Sequence, residues 1–352
     1  MESVARAPEE ELRSSERAAV DPAAVVRRST AVGLHARAPL SFVATPADVF
    51  ALAAPKMVAA EARLRELVAS EVDVVGAIGE YTASAGGKRL RPLLTALGAG
   101  AVGYAGPLEG LMCAGELIHL GSLLHDDVVD EGLTRRGKPA AQMVYGNAAV
   151  ILTGDFCLAR AVLLAAEDGG HAPVTTLARA VTAMAEGEVL QLQRAGNLDT
   201  TLEHYLEMID KKSAALIAWC ASAAAWAQGD RAAAEALERF GRQVGVAFQI
   251  TDDVLDYGGP TGKEPGADLR EKKLTLPLLY AMERDPSIRQ RIHTDDVATL
   301  LALVTATGAL DSALAEARRR VDHALAALDV LPPSVWRDAL GVLGRYLVER
   351  AS

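Results

Sequence analysis

The stretch Glu116–Gly137, ELIHLGSLLHDDVVDEGLTRRG, decides how this chain reads. Leu117, Leu120, Leu123, Leu124 and Val128 recur at intervals of three and four, the spacing of one apolar helix face. At the end of that face stand Asp126, Asp127 and Asp130, a DDxxD pattern. Residues four apart lie one turn apart on a helix, so Asp126 and Asp130 project together with Asp127 beside them. Carboxylates this close repel one another unless a cation sits among them. Hard oxygen ligands supplied by few protein groups suit Mg2+, above all where phosphate oxygens complete the shell. Arg135 and Arg136 follow, and a guanidinium is the preferred partner of phosphate.

The pattern returns at Phe248–Tyr257, FQITDDVLDY, with Asp252, Asp253 and Asp256. A lone DDxxD is often only a solvated helix face. Two copies, each ending an apolar helical run, point to two acidic faces across a helical cleft. Such a cleft could hold a metal cluster and a diphosphate. Cations accompany both copies. In Ala85–Pro92, AGGKRLRP, two glycines precede Lys88, Arg89 and Arg91, and cations so crowded in a net-acidic chain want an anion. His119, seven residues before Asp126, falls on the same face two turns earlier. Lys212 and Ser213 precede an apolar run, with Glu188 and Gln191 as supporting polar groups. Lys263, Asp268 and Lys273 follow the second motif much as the arginines follow the first. Asp155 is a single acid in an apolar helical pattern, so it is expected to be buried against a partner.

Composition sets the frame. The chain has 352 residues, half of them hydrophobic, with much Ala and Leu and few aromatics, which predicts an all-α protein with a large core. A net charge of −10 argues against nucleic acid as a partner. Cys113, Cys157 and Cys220 lie far apart in apolar patterns and read as buried free thiols of a reducing compartment. Ala214–Ala227, AALIAWCASAAAWA, is too short and too Ala-rich to span a bilayer and reads as a buried core helix. Membrane contact is therefore expected to be peripheral at most. No apolar core follows Arg27 and Arg28, so export is not expected and the location reads as cytoplasmic. Residues 1–45 lack sustained periodicity and are expected to form a disordered tail, with an ordered helical domain over 46–352. Gly98, Gly100 and Gly103 spell GxGxxG, but they follow a helical pattern rather than a strand, which removes the dinucleotide reading and suggests a loop between helices.

The pieces GGKRLRP, HDDVVDEGLTRRG, GDFCLARA, KKSAAL, FQITDDVLDY and GKEPGADLREKKLTLP occur in this order, and together they resemble the trans-isoprenyl (polyprenyl) diphosphate synthases. The resemblance runs from about Val49 to near the end. It implies an all-α helical bundle around a deep central cavity, the isoprenoid synthase type, and a homodimer. It implies prenyl transfer: isopentenyl diphosphate is added to an allylic diphosphate (dimethylallyl, geranyl, farnesyl or geranylgeranyl) and diphosphate is released. On this basis Asp126, Asp127, Asp130 and Asp252 are expected to hold three Mg2+ ions, with Asp253 and Asp256 assisting, partly through water. Arg135, Lys212 and Lys263 resemble the grip on the allylic diphosphate. Lys88, Arg91, His119 and Arg136 resemble the isopentenyl diphosphate site, with Gln249, Ser213 and Lys273 lining the same region. Ser213 replaces the usual threonine and keeps the hydroxyl.

Residues four and five positions before Asp126 lie about one turn deeper on its helix and could wall the cavity. Here they are Ser122 and Gly121, with Ile118 about one turn further down. Short-chain members of the family tend to place bulky aromatics there. Two small residues predict an open first turn and a product longer than farnesyl diphosphate, a long-chain polyprenyl diphosphate, with geranylgeranyl diphosphate as the alternative. A metal phosphohydrolase built on His119, His125 and Asp126 would need more histidines than the second motif offers. A non-catalytic regulatory subunit is the remaining different class, and it would be expected to have lost some of these acids and cations.

Overall fold

The computed structural model describes residues 42–258 and 265–350. The expectations for residues 1–41 and for Lys263 lie outside the described residues. Ordered packing begins before Pro46: Val43 is buried, and Thr45 caps the first helix in a capping box with Asp48. That helix, α1 (Pro46–Val68), is followed by α2 (Asp73–Ser84), α3 (Leu90–Ala101) and α4 (Glu109–Val129). A two-stranded hairpin, β1 (Thr134–Arg135) and β2 (Lys138–Pro139), leads to α5 (Asn147–Leu164) and α6 (His171–Arg194). Then come α7 (Leu202–Ile209), α8 (Ala215–Ala227) and α9 (Arg231–Leu255). The last long helices are α10 (Leu276–Arg284), α11 (Val297–Ala306), α12 (Ala309–Ala327) and α13 (Val335–Glu349). The all-α reading holds.

Packing follows from which faces are apolar. Every residue of α8 from Ala215 to Ala225 is buried, so this Ala-rich segment is the central core helix, with α3, α6 and α9 packed around it. The three thiols are buried and free, and burial pushes each of them up to about 12, which leaves them inert. α4 lies along α5, and α6 lies along α8, but α4 and α6 barely touch. A cleft therefore opens between them, with Asp126 on one wall and Glu188 on the other.

Three expectations need correction. Gly98 and Gly100 lie within α3 rather than in a loop. A Cβ on Gly98 would sit 2.1 Å from the Ala221 carbonyl oxygen, so this glycine lets α3 press against α8. Asp155 is exposed rather than buried, on the outer face of α5, with His125 Nε2 3.4 Å away. Gly121 points at α5, where a Cβ would lie 2.9 Å from the Gly154 carbonyl oxygen and 3.4 Å from Cys157 Cβ. At about 100° per residue, five residues back from Asp126 is about 140° around the helix, whereas four residues back is only about 40°. Gly121 therefore serves helix packing, and Ser122 stays nearer the face of Asp126.

The segment Asn147–Gly169 is long and apolar enough to cross a membrane by length and composition alone. One of its faces is packed on α4. The other leaves Ile151, Leu152, Val162 and Leu163 exposed.

Candidate active site

Two loops bring cations of the two basic stretches together. Gly86, Gly87 and Arg89 all adopt positive φ, so the chain turns sharply before α3. The turn sends Arg89 inward, where it bonds Glu61 at 3.0 Å, Glu116 at 2.8 Å and the Ala83 carbonyl at 2.9 Å. Of the three crowded cations, Arg89 is thus spent on the fold. Arg91 is partly buried with no hydrogen-bond partner for its Nε, and burial lowers its pKa. The second loop is the hairpin, where Arg136 and Gly137 both have positive φ and close a two-residue turn. Arg136 lies over Gly87, 3.2 Å from where a Cβ would stand, so glycine makes room for the guanidinium. Burial first, and then Arg91, Arg136, Arg135 and Arg89, hold the His119 pKa well below its usual value. His119 is therefore a neutral imidazole within a basic site, placed as its spacing from Asp126 suggested.

The first motif ends α4. Asp126 is partly buried and its pKa is raised to about 6, chiefly by burial, with Glu188 and Asp130 adding to the rise and Lys212 and Arg135 opposing it. Asp127 turns inward and pairs with Arg135, while Gln142 donates to its backbone carbonyl at 2.7 Å. Asp130 caps the helix and is exposed.

The second motif ends α9. Asp252 pairs with Arg350, whose guanidinium lies 4.5 Å from the centroid of the Phe248 ring. Lys88 Nζ lies 6.0 Å from the same centroid, so Phe248 has a cation from each end of the chain beside it. Asp253 is buried, and its two oxygens accept from Tyr205 at 2.6 Å and Gln249 at 2.8 Å. Burial, reinforced by Asp268, holds its pKa well above the carboxylate range. Asp256 accepts from the backbone N–H groups of Ala267 and Asp268, closing the helix end against the next turn.

Lys212 joins the two halves. It sits in a π-helical turn, Asp210–Ala214, between α7 and α8. Wide turns of this kind recur at functional sites because they re-aim side chains. Its ammonium lies 2.5 Å from Glu188 and 3.2 Å from Gln191, and its charge reaches Asp126. Gly187 lets α6 come this close, since a Cβ there would lie 2.5 Å from Lys212 N. On the other side, Ser213 donates to Gln249 at 2.8 Å. Lys273 bonds Glu271 at 2.5 Å and lines a pocket of about 140 Å³ with Lys212, Ser213, Gln249 and Asp253.

Lys212 thus lies within electrostatic reach of Asp126 and Lys273 of Asp130, but the six aspartates have different surroundings. Among the described residues no three acidic, His or Cys side chains stand close enough to hold a metal as they are. The donor set still fits a divalent cation: a partly buried carboxylate with a raised pKa, facing further acids, is relieved by one. Sequence reasoning missed Tyr205, which belongs to no motif, and Arg350, which caps the end of the last helix. Only the helical register of Tyr205 relative to Lys212, seven residues on, could have suggested the former.

The sequence profile described as polyprenyl synthetase matches residues 72–298. Octaprenyl diphosphate synthase of Escherichia coli K12 is 40% identical over 313 residues, covering 85% of this chain and 97% of its own. The all-trans-nonaprenyl-diphosphate synthase (geranyl-diphosphate specific) of Rhodobacter capsulatus is 37% identical, covering 86% and 97%. The crystal structure of a polyprenyl synthase from Caulobacter crescentus CB15, complexed with calcium and isoprenyl diphosphate, superposes with a TM-score of 0.82 at 40% identity, covering 86% of this chain and 97% of that one. With the helical bundle, the paired aspartate motifs and the cations between them, these likenesses make the chain a member of the polyprenyl synthetase family.

Proposed function

We propose that this protein is a Mg2+-dependent trans-prenyltransferase that extends an allylic diphosphate with isopentenyl diphosphate to a long-chain polyprenyl diphosphate. The observation that carries the reading is the position of Lys212, which lies between α6 and the second acidic helix with its charge reaching Asp126. A leaving diphosphate there would meet cationic groups from both halves of the bundle. Asp126, Asp130 and Asp252 are the residues best placed to hold Mg2+, three ions on the family pattern, with Asp127 joining once Arg135 turns to the substrate. When bound, Mg2+ offsets negative charge on the departing diphosphate.

The chain's own side chains do the rest. Lys212 and Arg135 grip the allylic diphosphate, with Lys263 as the third cation on the family pattern. Arg91, Lys88, Arg136 and neutral His119 receive the second diphosphate, bringing the alkene of isopentenyl diphosphate to the allylic carbon. The allylic C–O bond breaks, its electron pair leaves with the diphosphate, and the alkene electrons form the new C–C bond. One proton is then lost, and on the family pattern the released diphosphate is its acceptor. The apolar walls exclude water from the cation meanwhile.

The primer is dimethylallyl, geranyl, farnesyl or geranylgeranyl diphosphate. Ser122, with Ile118 below it, is the position that bounds the growing chain. The functional unit is a homodimer in the cytoplasm, with at most peripheral membrane contact and no nucleic acid. The exposed apolar face of α5 supports the dimer, because a face of this kind is normally covered. The test is to incubate the purified protein with Mg2+, labelled isopentenyl diphosphate and farnesyl diphosphate, then separate the products by length. Products well beyond twenty carbons are expected. Products that stop at fifteen or twenty carbons, or diphosphate release that does not depend on isopentenyl diphosphate, would overturn the reading.

A further inference from the structure

Behind Lys212 lies a chain of hydrogen bonds whose first member has no part in either acidic motif. Tyr205, on α7, is fully buried, and its hydroxyl donates to Asp253 Oδ2 at 2.6 Å. Gln249 Nε2 donates to Asp253 Oδ1 at 2.8 Å, and Gln249 Oε1 accepts from the Ser213 hydroxyl at 2.8 Å. Ser213 is the neighbour of Lys212 in the π-helical turn. Each link fixes the next. Both oxygens of Asp253 face donors, so the carboxylate cannot rotate without losing one. In this arrangement the Gln249 amide presents its NH2 group to Asp253 and its carbonyl to Ser213. The hydrogen bonds thus run unbroken from Tyr205 to Ser213, and a buried network satisfied in this way rigidifies what it touches.

We infer that Tyr205 is a positioning residue of the prenyl-transfer site: through Asp253 and Gln249 it holds Ser213, and with it the turn that aims Lys212. Asp253 is the joint of this chain and not a metal ligand. The inference rests on the proposed prenyl transfer, and wild-type activity is the control that tests that reading separately. The alternative is a buried tyrosine that merely satisfies its hydroxyl.

Tyr205→Phe removes the hydroxyl and little volume. With active sites titrated, kcat should fall about tenfold or more, because a small misplacement of a diphosphate-binding group weakens transition-state contacts more than ground-state ones. KM for isopentenyl diphosphate and the half-saturating Mg2+ concentration should stay within about twofold of wild type. Ser213→Ala should show the same split, and the double variant should be no slower than the slower single one, since both cut one chain. An active wild type with unchanged kcat in Tyr205→Phe, and only a lower Tm, would reduce Tyr205 to packing. A rise in half-saturating Mg2+ beyond about fivefold would make Asp253 a metal ligand instead. Effects that multiply in the double variant would break the chain as drawn. If Tyr205→Phe does not fold, the Ser213→Ala split decides alone: a changed Mg2+ requirement or an unchanged kcat overturns the inference.

Discussion

Asp126 carries a charge that its surroundings resist. Burial and neighbouring acids raise its pKa from 3.8 to about 6. Between those values the folded protein binds more protons at this site than the unfolded chain does. The site's contribution to metal-free stability is therefore full below about pH 4 and is lost as pH rises through 6. In chelator at pH 7.5, Asp126→Asn should melt about 2 °C or more above wild type, and the gap should narrow below pH 6 and close towards pH 4. With Mg2+ and a non-hydrolysable allylic diphosphate analogue the order should reverse; thermal melts across pH, with and without metal, check both. Turnover of Asp126→Asn should fall by roughly 10²-fold or more. This residue was legible because a DDxxD at the end of an apolar helix states its own geometry. The different fates of the other aspartates were not. The sequence shows three identical carboxylates per motif, whereas tertiary neighbours make Asp253 a hydrogen-bond joint and Asp256 a helix-end acceptor.

Helix packing decides what the small residues beneath Asp126 do. Gly121 meets α5 backbone, with the Gly154 carbonyl oxygen 2.9 Å from where its Cβ would stand. Overpacking such a contact costs about 1–3 kcal/mol or more. Gly121→Phe should therefore lower Tm by several degrees and leave the chain length of any residual product unchanged. Ser122→Phe should keep Tm and shorten the product. Melting curves and product chromatography on both variants distinguish these outcomes; a well-folded Gly121→Phe that shortens the product would return Gly121 to the cavity wall. A second glycine marks the other side of the cleft. Gly187→Ala should press on the π-helical turn at Lys212 and cut kcat about tenfold, read by steady-state kinetics at saturating substrate. The helices themselves were largely readable, because their apolar periods are long and their ends carry Gly, Asp or Pro. The π-helical turn was not, since Lys211, Lys212 and Ser213 are locally compatible with an ordinary helix and only the contact with α6 and α9 widens it.

Across the whole molecule the all-α class was legible from Ala and Leu content and the kind of bundle only through the family resemblance, while the outer face of α5 was hidden. The periodicity of that segment marks apolar residues without saying that one side stays uncovered. If Ile151, Leu152, Val162 and Leu163 pair two copies, Leu152→Asp combined with Leu163→Asp should convert a dimer to a monomer; light scattering on the eluting peak measures it, and an unchanged dimer mass would place the interface elsewhere. The C-terminal helix was equally opaque: nothing local distinguishes Arg350 from any surface arginine, yet it closes on Asp252 and stacks on Phe248. Its position has a practical consequence for recombinant work. A purification handle fused after Ser352 begins three residues beyond Arg350, the partner of one of the acids proposed to receive a metal. Preparations tagged at that end would then differ in apparent Mg2+ requirement from untagged ones, and a discrepancy between laboratories could originate in the cloning vector.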